Sequence, residues 1–166
     1  MKCPECKTAS FTTKEYEMEH IDICSSCSGV WLDEGEIQSI ISNKVTTFSE
    51  DEVRKTVSAA FSGIPLQERK SIKECPKCHV NMKPINYTID SGVIIDKCPK
   101  NHGIWLNKHE LEKVQQYRDY WQEKGFDNNE KLTKLISTPT PSEEENSSLL
   151  FGLAVSAAQL WVKITK

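Results

Sequence analysis

The stretch Cys24-Ser25-Ser26-Cys27-Ser28-Gly29-Val30-Trp31-Leu32-Asp33-Glu34-Gly35-Glu36 recurs, with one break, as Cys98-Pro99-Lys100-Asn101-His102-Gly103-Ile104-Trp105-Leu106-Asn107-Lys108-His109-Glu110. Upstream of each lies another close pair, Cys3-x2-Cys6 and Cys75-x2-Cys78. The break falls at Asn101, where the repeat calls for a fourth cysteine, and the next residue is His102. Four ligands in two close pairs are what a tetrahedral structural zinc requires, because each short knuckle supplies two legs and a hairpin between the knuckles brings them together. The spacing therefore predicts two structural zinc ions, one on Cys3, Cys6, Cys24 and Cys27 and one on Cys75, Cys78, Cys98 and His102. His102 fits the second set because an imidazole is longer than a thiol and reaches the metal from one residue further along. His79 and His109 compete for that place. Disulfides are the alternative, but the N-terminus carries no signal-peptide pattern and adjacent CxxC pairs read better as metal sites. A thioredoxin-type redox motif would need a CxxC opening a helix in a βαβ unit, whereas paired knuckles flank strand-like runs here. Iron competes with zinc at the all-cysteine site.

Between the knuckles, Phe11–Tyr16 and His20–Ile23 are rich in β-branched and aromatic residues, as are Ile85–Ile89 and Val93–Ile95 around the turn sequence Asp90-Ser91-Gly92. Each copy thus reads as a β-hairpin. A helix should follow each Trp-Leu, since Asp33 with Glu36 and Asn107 with Glu110 have capping-box spacing. Ile37, Ile40 and Ile41 give the first helix an apolar stripe; Leu111, Val114, Tyr117 and Trp121 give the second a longer one. Ser49 and Glu52 repeat the capping pattern ahead of Val53, Val57 and Phe61, which predicts a helix over 50–62. Trp31 and Trp105 could serve as base-stacking platforms, but their fixed place between knuckle and helix favours the cap of a small core.

These residues resemble the transcription-factor-IIB-type zinc-finger family of small zinc-ribbon proteins, whose pattern runs Cys-Pro-x-Cys, a hairpin, then Cys-x2-Cys-x-Gly-x-Trp-Leu-Asp-x-Gly-Glu-Leu. Residues 3–37 match closely, and residues 75–111 match with departures at Asn101/His102, Asn107 and His109. The resemblance implies a zinc ribbon and a small soluble protein. It implies no particular activity, because a fold does not carry a function.

The expected fold is a small, metal-stabilised α+β one. It has zinc ribbon 1 at 1–43, a helical connector at 44–72, and zinc ribbon 2 with a long helix at 73–124. A flexible linker at 125–148 and an apolar C-terminal helix at 149–166 follow. The linker reading rests on Thr138-Pro139-Thr140-Pro141-Ser142-Glu143-Glu144-Glu145. The apolar run Leu149–Val162 carries no charge and ends before Lys163. As a helix it would be about 21 Å long, short of the ~30 Å hydrocarbon core. It could dock on the protein, pair with a partner or a second copy through Gly152 and Ser156, or lie on a membrane surface.

Charge bears on nucleic acid. Residues 1–43 hold three basic against eight acidic side chains, a net of −5, while residues 73–117 hold seven against five, a net of +2. The first ribbon would repel a phosphate backbone. With ligands saturated by protein, no Gly-rich phosphate loop and no nucleophile motif, the chain reads as a non-enzymatic protein-interaction (adaptor or regulatory) module. Its expected setting is a reducing cytoplasm, with a peripheral membrane contact through 149–166 as a further option. The alternatives are a transcription-associated or nucleic-acid-binding factor, and a zinc or redox sensor that exploits the second site's missing thiolate.

Overall fold

The structure, a computed structural model, describes residues 1–7, 10–43 and 45–124. The linker expected at 125–148 and the helix expected at 149–166 lie outside the described residues. Strands β1 (Phe11–Tyr16) and β2 (Glu19–Cys24) form the first hairpin, and β3 (Val30–Asp33) leads into α1 (Glu36–Asn43). The connector contributes α2 (Glu50–Ser58) and α3 (Leu66–Lys70). Strands β4 (Lys83–Asn86) and β5 (Ile94–Lys97) form the second hairpin, followed by β6 (Gly103–Leu106) and α4 (Glu110–Glu123). The α+β architecture expected from the repeat is the one observed.

All six strands join one antiparallel sheet in the order β1-β2-β3-β6-β5-β4. The two ribbons therefore meet edge to edge through β3 and β6, a strand pair that hydrophobic patterning did not reveal because each strand is only four residues long. Its register places Trp31 opposite Trp105, Val30 opposite Leu106 and Leu32 opposite Ile104. Since Trp31 and Trp105 hold the same place in the repeat, this is the register that a pseudo-two-fold axis through the tryptophan pair demands.

Alternation along the paired strands sorts side chains onto two faces. Val30, Leu32, Ile104 and Leu106 point into a core with Ile37, Ile40 and Ile41 of α1 and Leu111, Val114 and Tyr117 of α4. Trp31 and Trp105 point the other way, into a second cluster with Cys3, Cys24, Cys75, Cys98 and Met82. Helices thus cover one face and the cysteine knuckles the other.

The helices differ in detail from their sequence expectations. Helix α2 has the expected capping box, with the Ser49 side chain accepting from the Glu52 N–H and the Glu52 carboxylate accepting from the Ser49 N–H, but it stops at Ser58. The Ala59 N–H turns back to the Lys55 and Val57 carbonyls there. Helices α1 and α4 begin at the glutamates rather than after Asp33 and Asn107. The glutamates do reach back, since Glu36 accepts from the Asp33 N–H at 2.8 Å and Glu110 from the Asn107 N–H at 2.6 Å. The Asp33 and Asn107 side chains are engaged elsewhere, as the metal face shows. In the second hairpin, Tyr87–Ile89 form turn instead of strand, joining the turn expected from Asp90.

The tip of the first hairpin was not legible beforehand. Glu17 and Met18 both take positive φ, 51° and 63°, the conformation of a two-residue hairpin turn. Glu17 is nearly buried, and its carboxylate accepts from the Val45 and Thr46 N–H groups at 2.6 and 2.7 Å and from Gln115 Nε2 at 3.2 Å. Burial opposes its charge, yet the Thr46 side chain together with these donors holds its pKa below the usual carboxylate value. Gln115 also accepts from the Tyr16 hydroxyl at 2.6 Å, so the first hairpin is tied to α4 of the second ribbon.

Candidate metal centres

The structure brings together both predicted ligand sets. The Cys3, Cys6, Cys24 and Cys27 sulfurs form one cluster, and the Cys75, Cys78 and Cys98 sulfurs with a His102 ring nitrogen form the other, each with all ligand atoms within 4.8 Å. Zinc–sulfur bonds of about 2.3 Å meeting at the tetrahedral angle imply sulfur–sulfur edges of about 3.8 Å, and a sulfur–imidazole edge of about 3.6 Å. The Cys3–Cys27 and Cys6–Cys24 sulfurs are 3.7 and 4.0 Å apart. In the second cluster Cys78 and Cys98 are 3.7 Å apart, and His102 Nδ1 lies 3.9 Å from Cys75 and 3.6 Å from Cys98. Both cages therefore fit a tetrahedral zinc ion. Their donor sets, four thiolates in one and three thiolates with an imidazole in the other, are those of structural sites.

Each knuckle closes with a turn. Lys7 and His79 hold equivalent places with φ of 63° and 59°, and each backbone N–H donates to the carbonyl of the first cysteine at 2.9 Å. His79 is thus the residue that closes its knuckle, and it lies outside the ligand cluster, as does His109, the left-handed residue that opens α4. In the first ribbon the later knuckle turns at Ser28, whose N–H bonds the Cys24 carbonyl at 3.0 Å. In the second it turns one residue sooner, at Asn101, whose N–H bonds the Cys98 carbonyl at 3.0 Å. Asparagine accepts a left-handed φ more readily than most residues. The tighter turn and the longer imidazole compensate each other, which explains why the ligand can slip by one position.

Without metal, thiols packed this closely oppose one another's ionisation. Burial pushes Cys3 up to about 12 despite the Cys6 N–H at its sulfur. Cys6 rises to about 11, mainly through its contact with Cys27, and burial lifts Cys75 to about 11. Burial acts the same way on Cys24, but donation from the Cys27 and Ser26 N–H groups brings it down to about 7. Cys78, similarly desolvated, falls to about 7 through the Val80 N–H and His102. Zinc must displace protons from the raised thiols, so its affinity falls as pH falls.

The tryptophans are buried core residues at 1% and 0% exposure, and each occupies space that the other ribbon's glycine leaves open. A Cβ on Gly29 would stand 2.2 Å from Trp105 Cζ2; one on Gly103, at φ +148°, would stand 2.2 Å from the Leu32 carbonyl oxygen and 2.7 Å from Trp31 Cζ2. Both indole N–H groups need an acceptor once buried. Trp31 donates to Asp33 at 2.6 Å and Trp105 to Asn107 at 3.2 Å, so the residue after Trp-Leu serves the indole instead of capping the helix.

Ionic contacts also cross between ribbons. Lys77, inside the third knuckle, reaches both Asp33 oxygens at 2.7 and 2.8 Å. Lys73 is buried with Asp96 at 2.9 Å and approaches Glu5 of the first knuckle at 3.8 Å. Burial opposes the Lys73 charge, but the Asp96 carboxylate outweighs it and holds the ammonium's pKa above the usual lysine value. Sequence reading missed this pair, since lone Lys and Asp residues carry no spacing signal.

Fold and site together define a tandem zinc-ribbon protein with two structural zinc sites. A family model described as "Transcription factor zinc-finger" matches residues 2–43 and 74–116, and the chain belongs to that family. No curated protein and no solved structure matches the chain. Among the described residues, no helix is long and apolar enough to cross a membrane.

Proposed function

We propose that this chain is a non-enzymatic, zinc-stabilised protein-interaction module of adaptor or regulatory kind, working in a reducing cytoplasm. The observation that supports this reading is that each metal cage is completed by four protein atoms, so zinc has a folding role and no vacant position for substrate. The connector carries exposed apolar side chains suited to a protein partner, Leu66 at 66% and Ile72 at 57% exposure. The 149–166 segment is a second candidate contact. Affinity capture with the intact chain and with one ending at Ser148, with zinc measured on both, tests the reading. A partner retained by metal-loaded chain and lost after chelation supports it; no selective partner on either chain counts against it.

A second reading, a transcription-associated nucleic-acid-binding factor, draws on the description of the matching family model. Against it stand the net −5 of residues 1–43 and the burial of both tryptophans, which removes them as stacking platforms. Tight, sequence-selective binding in a salt titration would promote this reading over the first.

A further inference from the structure

The sheet has two outer edges, β4 and β1, and they are not alike. In the second hairpin the Tyr87 N–H donates to the Val93 carbonyl at 2.8 Å, so by alternation Lys83 and Ile85 bond inward to β5, while Pro84 and Asn86 turn their backbone outward. Proline has no N–H to offer there. The Asn86 side chain also holds the connector against this edge, donating to the Phe61 and Gly63 carbonyls at 2.8 Å each. The β4 edge is thus closed.

The β1 edge is open. The Ser25 N–H donates to the Ser10 carbonyl at 3.1 Å, and the same alternation bonds Thr12, Lys14 and Tyr16 to β2. Phe11, Thr13 and Glu15 are therefore the residues whose N–H and C=O groups point away from the sheet. Thr12–Glu15 are all exposed, the six-residue strand contains no proline, and no described strand pairs on its outer side. Unpaired backbone groups of this kind accept an added strand.

Side chains decide which strand fits. Thr13 and Glu15 stand on the knuckle face opposite Asp22 and His20 of β2, and the Asp22 carboxylate accepts from the Thr13 hydroxyl at 2.7 Å. Four thiolates around one zinc ion leave the first cage at a net −2, and residues 1–43 carry −5. Lys14 lies on the opposite, helix-covered face. A second copy of β1 would not complement this edge. Two-fold antiparallel pairing keeps each face with itself, so Lys14 never stands opposite Glu15 and the acidic faces adjoin. We propose that the β1 edge takes an extended peptide of a partner protein as an added strand, with lysine or arginine at the alternate positions facing Thr13 and Glu15 and uncharged residues between. This inference rests on the protein-interaction reading and names its contact.

Amide exchange on the zinc-loaded full chain tests it with two probe peptides of about six residues, one alternating threonine with lysine and the other threonine with glutamate. The lysine peptide at saturation should slow exchange at Thr13 and Glu15 by about tenfold or more, and leave Thr12 and Lys14, already bonded to β2, nearly unchanged. The glutamate peptide should protect none of them. Thr13→Pro removes an outward N–H, as Pro84 does on the other edge, and should weaken the lysine peptide about tenfold with zinc content unchanged. Glu15→Lys, which leaves the backbone alone, should narrow or reverse the preference between the peptides. Lysine-peptide binding that survives Thr13→Pro would reduce the contact to surface charge and overturn the proposal, as would equal protection by both peptides or β1 protection by neither. Protection without peptide that fades on dilution would assign the edge to a second copy and overturn it too. If Thr13→Pro retains a partner that the intact chain captures, the edge fails while the protein-interaction reading stands. If no partner is captured yet the lysine peptide protects Thr13, that reading fails and the edge stands.

Discussion

The two ribbons are built on one plan and solve the same local problems with different residues. Ribbon 1 holds its metal with four thiolates; ribbon 2 uses three and His102. Ribbon 1 gives the buried indole a carboxylate acceptor, Asp33, which Lys77 neutralises from across the axis. Ribbon 2 gives its indole the neutral Asn107, and the residue equivalent to Lys77 is Glu5. The difference teaches that the copies no longer act as interchangeable units: each has adjusted to what the other presents at the shared edge. What both retain is the Gly-x-Trp-Leu strand, because its glycine and tryptophan form the joint.

Zinc removal should produce the largest effect. Both cages share one buried cluster with Trp31 and Trp105, so stripping the metal should collapse the two ribbons together. Chelation followed by near-UV circular dichroism should show a single loss of tryptophan signal. Two well-separated steps, one per ribbon, would mean that the joint does not couple the sites. The alanine substitutions at the two joint glycines come next. Gly103→Ala meets a backbone oxygen at 2.2 Å and a φ of +148°, whereas Gly29→Ala meets only the edge of an indole ring. Gly103→Ala should therefore cost more, about 3 kcal/mol or above, with Gly29→Ala at about 1–3 kcal/mol. Thermal melts of zinc-loaded protein rank them, and a reversed order would place the tighter contact in ribbon 1.

Much of this arrangement is legible in the chain and some is not, for physical reasons. The ligand sets follow from spacing, because a metal imposes a fixed distance on a fixed number of side chains. The hairpins and the helix stripes follow from periodicity. Strands β3 and β6 do not, since four residues hold too little alternation and the Trp-Leu pair reads equally well as a lead into a helix. The capping spacing of Asp33 and Asn107 misleads, because spacing alone does not tell whether a nearby indole claims the side chain. Glu17 and Lys73 depend on tertiary partners far away in sequence, and no local pattern announces them.

The ligand slip in ribbon 2 makes the next prediction. His102→Ala should weaken zinc binding at the second site by roughly a hundredfold or more, beyond the loss typical of a residue that only orients a ligand. Asn101→Gly should leave it within about threefold, because glycine accepts the left-handed turn even more readily. Chelator competition decides between them, and a larger loss from Asn101→Gly would show that the turn rather than the imidazole holds the site.

The smallest expected effect tests whether the ribbons have adjusted to each other's charge. Asn107→Asp would make ribbon 2 match ribbon 1, but the Asn107 side chain donates to Glu110 Oε1 at 3.2 Å, and the substitution replaces that donor with a second carboxylate. Burial already raises the Glu110 pKa, so ionised Glu110 tolerates a new neighbouring charge poorly at neutral pH. The single variant should lose about 1 kcal/mol. Ribbon 1 bears the same Asp33–Glu36 arrangement because Lys77 sits on Asp33. Glu5→Lys supplies the equivalent cation at the cost of the Glu5–Lys73 approach at 3.8 Å, so its benefit is read as the coupling to position 107 and not as net stability. A double-mutant cycle on the zinc-loaded chain should give a favourable coupling of about 0.5–1 kcal/mol between positions 5 and 107. Zero coupling would mean that the pseudo-two-fold does not bring these positions into contact, and the asparagine would then owe its place to Glu110 alone.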